Sequence, residues 1–138
     1  MKYWEALAAG DGKAMAACYA EDAEFQDEVF HLHGADIGTM WTGLFRPGAD
    51  VKVQTHPLRE TDGVITGTWE AWYAFQGRPI HNVIHSTFLV EDGLIVSQRD
   101  RFNFWKWTRM ALGLKGTLLG WTPMVRKAVQ KQAMKRIQ

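Results

Sequence analysis

The chain has 138 residues, 46% hydrophobic and 22% charged, a length that fits one domain and buries roughly 68% of its unfolded surface without covalent staples. Its one cysteine, Cys18, excludes an internal disulfide framework. The net charge of +1 conceals an asymmetry, because all 15 acidic residues precede residue 101 while nine of the 16 basic residues lie in 101–138.

Residues 2–9 and 12–19 read as two short helices broken at Gly10-Asp11-Gly12, with Asp11 placed to cap the second. Met15, Cys18 and Tyr19 recur at helical spacing in that second helix. Residues 23–30 read as a strand, on which Phe25 and Asp27 share a face because strand side chains alternate. Ile37, Met40, Trp41, Leu44 and Phe45 return to helical spacing, and Arg46-Pro47-Gly48 ends this third helix. From residue 51 the period becomes two. A strand at 51–54 is followed by a long one at 64–76, with Trp69, Ala71, Tyr73 and Phe75 on one face and Thr68, Glu70 and Trp72 on the other. A turn at Gly77-Arg78-Pro79 leads to a strand at 80–90, where Asn82, Ile84, Ser86, Phe88 and Val90 share a face. Glu91-Asp92-Gly93 is a hairpin signal before a last strand at 94–104, whose one face carries Leu94, Val96, Gln98, Asp100, Phe102 and Phe104. A short helix at 105–112 and an amphipathic, lysine-rich helix at 123–137 complete the chain, the latter opened by Thr122-Pro123. Helices gathered on one face of an antiparallel meander define an α+β architecture.

YWEALAAGD (3–11), CYAEDAEFQDEV (18–29) and the closing hairpin EDGLIVSQRDRF (91–102) resemble bacterial ketosteroid isomerases and SnoaL-like polyketide cyclases, within the nuclear transport factor 2-like superfamily. The resemblance covers roughly residues 3–104. It implies a cone, in which a strongly bent sheet wraps around three N-terminal helices and encloses an apolar pocket. Residue by residue, Asp27 matches the isomerases' catalytic base and Tyr3 their oxyanion-hole tyrosine. Their second oxyanion donor, an aspartate, falls here on His85 without a gap, or on Ser86 if the apolar phase of the strand is kept; the phase favours Ser86. SnoaL-like cyclases use an aspartate of the last strand as acid/base, and Asp100 matches it. The epoxide-hydrolase branch needs an Arg-x-Asp pair on one face, whereas Arg99 and Asp100 are adjacent and point to opposite faces.

Asp27 and Asp100 are thus the candidate catalytic acids and bases, with Tyr3 as oxyanion donor. Trp41, Trp69, Tyr73, Asn82, Ser86, Phe88, Gln98 and Phe102 are the candidate ligand-binding residues. A carboxylate among aromatic rings loses hydration, which raises its pKa toward a range useful for proton transfer. The expected ligand is a small, mostly apolar carbonyl or enol compound, and the expected reaction an isomerisation, cyclisation or dehydration without cofactor. The competing expectation is a non-catalytic binding or assembly domain with the same cone.

His31 and His33 alternate like two metal ligands, but a metal needs a third and no further metal motif appears, so a loop at the pocket mouth is expected and a metal is not. His81 and His85 stand too far apart along a strand to share an ion. Cys18 reads as a small core residue. Trp72 and Leu89, beside Glu70 and Thr87 on the convex face, point to a homodimer through that face. For the basic tail, packing of its apolar stripe is favoured over contact with a membrane surface. Nucleic acid is not expected, because no binding motif appears and the body is acidic. The N-terminus lacks an apolar signal run and no stretch has 18 uninterrupted apolar residues, so a cytoplasmic protein is the expectation.

Overall fold

The structure, a computed structural model, describes residues 1–113 together with positions 127, 130 and 131. Its elements run α1 (Lys2–Ala9), α2 (Gly12–Ala16), β1 (Tyr19–Gln26), β2 (His31–His33), α3 (Ala35–Leu44), β3 (Lys52–Thr55), β4 (Arg59–Thr61), β5 (Val64–Phe75), β6 (Arg78–Glu91), β7 (Leu94–Arg101) and α4 (Phe104–Leu112). The strands form one strongly curled but unclosed sheet of order β2-β1-β7-β6-β5-β3, with β4 also paired to β5. Every pairing is antiparallel except β1 with β7. That parallel contact brings the N-terminal strand against the last one. The expected α+β cone is the architecture found.

The long strands follow from alternation and from their turns. Asp62-Gly63, Gln76-Gly77 and Asp92-Gly93 all have positive φ at both positions, the backbone that matches the twist of a two-residue hairpin and that glycine adopts without strain. The β5–β6 turn therefore falls one step before the expected Gly77-Arg78-Pro79, and Arg78 and Pro79 already belong to β6. Asp62-Gly63 makes the β4–β5 hairpin, a turn of the same kind as Asp92-Gly93. In β6 the phase is the expected one: Ser86 is buried and His85 exposed, and Ser86 pairs with Asp100.

Three boundaries differ from expectation. The second helix stops at Ala16 rather than residue 19, because Tyr19 enters the sheet opposite Ile95; Asp11 does cap it, accepting from the Ala14 N–H at 3.0 Å. The expected strand at 23–30 breaks at Asp27. Its Oδ1 accepts from the Val29 and Phe30 amides at 2.7 and 2.6 Å, and this side-chain capture of backbone donors competes with a continued ladder. The chain turns there and β2 pairs back on β1, so His31 and His33 sit on a strand rather than a loop. The last strand ends at Arg101, because Asn103 caps α4 by accepting from the Lys106 N–H at 2.9 Å. Phe102 and Phe104 consequently leave the strand face. The helix expected at 123–137 lies outside the described residues.

The core joins α1 and α3 to the inner face of the sheet through Tyr3, Leu7, Phe25, Ile37, Met40, Trp41, Trp69 and Phe88. Tyr3 meets Phe88 edge-on at 5.3 Å between ring centroids, an arrangement favoured by the ring quadrupoles. Gly67 of β5 leaves room for the Trp4 indole, since a Cβ there would come within 2.8 Å of the ring. α4 buries Phe104, Trp107 and Ala111 in a second cluster with Phe75 and Ile80. The Arg78 Nε–H donates to the Met110 carbonyl at 2.8 Å near the end of that helix, which suits the negative end of the helix dipole.

Candidate functional site

A cavity of about 300 Å³ opens inside the curl. Its sheet wall is made by Trp69, Ala71, Tyr73 and Phe75 of β5, Asn82 and Ile84 of β6, Asp100 of β7 and Phe102 beyond it. Met40, Trp41, Leu44 and Phe45 of α3 face that wall, the Asp27–Phe30 turn closes one side, and Trp107 of α4 contributes from the other. Arg46 and Asp50, from the loop after α3, are the charged residues of the lining besides Asp27 and Asp100. The surroundings of the two inner carboxylates are therefore mostly aromatic and aliphatic.

Asp100 is 3% exposed. Burial pushes its carboxyl up to about 7; hydrogen bonds from Ser86 and Gln98 pull in the other direction, and the charge of Asp27 adds a further upward push. The donors are held from behind. The Trp69 indole donates to Ser86 Oγ at 3.0 Å, which leaves the Ser86 hydroxyl to donate to Asp100. Gln98 Nε2 donates to Asp100 Oδ1 at 3.0 Å and to the Tyr3 hydroxyl oxygen at 3.1 Å. Gln98 Oε1 accepts from the Tyr19 hydroxyl, which in turn accepts from the Trp41 indole at 2.8 Å. A carboxyl poised near neutrality in a water-poor cleft can take a proton from, or give one to, a bound molecule.

The residues singled out from the sequence fall into two groups. Asp27, Asp100, Trp41, Trp69, Tyr73, Asn82 and Phe102 line the cavity. Tyr3, Ser86, Phe88 and Gln98 are almost wholly buried beneath its floor and are not among the lining residues. Burial, with the nearby Tyr19 and Asp100, holds the Tyr3 phenol well above its ordinary pKa, and its hydroxyl is engaged with Gln98. The Asn82 side chain is 8% exposed and faces the cavity with no hydrogen bond to another described residue, so its amide is available to a ligand. Asp27 combines its turn-forming bonds with a place in the cavity wall. Tyr19 and Trp107 were missed by the sequence reading. The spacing of Met15, Cys18 and Tyr19 reads as helical; Trp107, whose indole donates to the Tyr73 hydroxyl at 2.7 Å, lies on the helix expected at 105–112, whose packing over the cavity no local pattern reveals. Among the described residues, no cluster of three possible metal ligands lines the cavity.

Residues 1–98 match the family model described as a SnoaL-like domain. The chain belongs to that family. Solved structures similar to this SnoaL-like protein include a hypothetical protein with a ketosteroid isomerase-like fold from Catenulispora acidiphila, in complex with trimethylamine, at 16% identity and TM-score 0.69 over 88% of this chain and 95% of that one. An LEH-like epoxide hydrolase of M. tuberculosis aligns at 18% identity and TM-score 0.64 over 90% of each chain. An NTF2-like protein of unknown function from Burkholderia pseudomallei aligns at 16% identity and TM-score 0.65 over 80% of this chain and 92% of that one. At these identities the likeness is one of fold. No curated protein matches the chain.

Proposed function

We propose that this SnoaL-like protein binds a small, mostly apolar carbonyl compound in the cone and moves a proton on it, with Asp100 as the acid/base. The observation that carries this reading is a buried carboxyl group, held by two hydrogen bonds, in the wall of an aromatic cavity. At about 300 Å³ the space stands at the small end of ligand pockets, which span roughly 300–1,000 Å³. In its ionised form Asp100 takes a proton from the carbon next to the carbonyl, leaving an enolate, and the same group then returns that proton at a second position. Asn82 is the amide best placed to hydrogen-bond the substrate oxygen. Asp27 supplies a second carboxylate whose charge keeps the proton on Asp100 at higher pH. Tyr3 and Gln98 position Asp100 rather than touch the substrate.

The test is a screen of small enones and cyclic ketones by proton–deuterium exchange, followed by comparison of the wild type with Asp100→Asn. Loss of about 10²–10⁴-fold in exchange rate with retained binding is the expected result. Exchange that survives the substitution would refute the role.

A second reading, a binding domain without catalysis, is favoured by one observation: the Tyr3 hydroxyl is engaged with Gln98 beneath the cavity floor, so the oxyanion donor implied by the resemblance does not line the pocket. Under that reading ligands bind, no exchange is seen, and Asp100→Asn alters affinity alone. We also propose a homodimer through the convex face, where Val83 and Leu89 are 37% and 45% exposed. Leu89→Arg should shift a dimer to monomer in light scattering; a wild type that is monomeric at high concentration would sink this idea.

A further inference from the structure

We propose that Glu24, His31 and His33 form a surface site for a late first-row divalent transition metal, with zinc as the reference ion. The sequence supplies two imidazoles two residues apart; the third ligand comes from the neighbouring strand. Glu24 of β1 is the direct register partner of His33 on β2, and His31 lies two pairs further along, opposite Gln26. All three side chains therefore stand on one face of the hairpin. His31 Nε2 is 3.0 Å from Glu24 Oε1, His33 Nε2 is 3.8 Å from Glu24 Oε2, and the three ligand atoms lie within 4.8 Å of one another.

Bonds of about 2.0–2.2 Å to a tetrahedral ion separate its ligand atoms by roughly 3.3–3.6 Å. The two separations run to different oxygens of the carboxylate and straddle that range, and with all three ligand atoms within 4.8 Å of one another, side-chain rotation brings them onto one ion. An exposed imidazole–carboxylate contact contributes little by itself. What holds the three groups together is the backbone: Phe25 and Leu32, a register pair between them, are buried in the core, and the Asp27 turn fixes the hairpin. Two nitrogens and one oxygen suit zinc, nickel or copper and suit calcium or magnesium poorly, because the hard ions prefer oxygen. Half or more of each side chain is exposed, so the ion keeps water in its remaining positions. Bound there, it ties the edge strand β2 to β1, the hairpin whose turn supplies Asp27, Val29 and Phe30 to the cavity wall.

The experiment is calorimetric titration of the untagged full chain with zinc chloride near neutral pH, after removal of metal by a chelator, with cobalt as a spectroscopic probe. One equivalent should bind. His31→Ala, His33→Ala and Glu24→Gln should each weaken binding at least about tenfold, while His56→Ala and His85→Ala should leave it unchanged. A hundredfold excess of zinc over its dissociation constant should raise Tm by on the order of 5–10 °C, and melting in chelator should show that the variants fold. Cobalt should give the visible absorption of a nitrogen–oxygen site, and magnesium should not compete. Absence of saturable zinc binding, or binding that persists in the His31→Ala/His33→Ala double variant, would overturn the proposal.

Discussion

Replacing Asp100 by asparagine removes the one carboxyl group that is buried among the described residues while keeping its shape and an acceptor for Gln98. In the folded protein this group holds its proton up to about 7, against an ordinary value of 3.8. The folded state therefore binds more protons than the unfolded state between those values, so this group's contribution to stability is full at acid pH and is lost as pH rises through the folded pKa. Ionising the buried group costs about 1.4 kcal/mol for each unit of separation, which makes a penalty of roughly 1.5 kcal/mol near pH 5 and roughly 4 kcal/mol near pH 8. Asparagine escapes that penalty. Urea unfolding of wild type and Asp100→Asn near pH 5 and pH 8 should show the variant's relative stability improving by about 2–3 kcal/mol across the interval. A difference that does not change with pH would refute the claim that Asp100 is a desolvated, proton-holding group, and the acid/base reading would fall with it.

Asp27→Ala removes the acceptor for two backbone amides and should cost about 1–3 kcal/mol in denaturant unfolding, whereas Asp27→Asn keeps an acceptor oxygen and should lose less. Ala71→Phe projects a ring into the cavity; ligand binding by calorimetry or thermal shift should disappear while the fold persists, since the ring fills existing space. Gly12→Ala places a methyl group against the Trp41 carbonyl, a backbone atom that cannot turn aside, and should destabilise the α2–α3 contact by about 1–3 kcal/mol in urea unfolding.

Much of the sheet was legible because period-two alternation and Asp-Gly turns act locally. The same locality explains what was not legible. Met15, Cys18 and Tyr19 carry a helical spacing, yet Tyr19 belongs to β1, and its pairing with β7 joins segments far apart in sequence. At Asp27 the alternation of 23–30 runs on undisturbed, and only the reach of one side-chain oxygen to two amides reveals a turn. No periodicity marks Glu24 as a partner of the histidines; the hairpin lays it beside His33. Alternation also tells which side of a sheet a residue faces but not how deep under the helices it lies. Asn82 and Ser86 share the inner face of β6; Asn82 lines the cavity, whereas Ser86 lies with Phe88 beneath the floor, in the part of the curl filled by α1. The depth comes from the curl, a property of the whole sheet.

The buried network under Asp100 has a direction that its donor inventory imposes. Trp41 and Trp69 can only donate through their indole nitrogens. Trp69 feeds Ser86, and Ser86 feeds Asp100; Trp41 feeds Tyr19, Tyr19 feeds Gln98 Oε1, and so the Gln98 amide must present its nitrogen to Asp100. Both chains of donors begin at cavity-lining indoles and end on the same carboxyl group. These hydrogen bonds favour the ionised form that burial disfavours, and near-neutral titration is the balance of the two. Gln98→Leu removes one chain of donors and leaves burial in place, so the proton on Asp100 should be retained to higher pH. In the urea experiment, run in the Gln98→Leu background, the gain from Asp100→Asn should then go on growing to a higher pH before it levels off than in the wild-type background. An unchanged levelling-off pH would mean that burial alone sets the titration and that the layer beneath the cavity serves packing only.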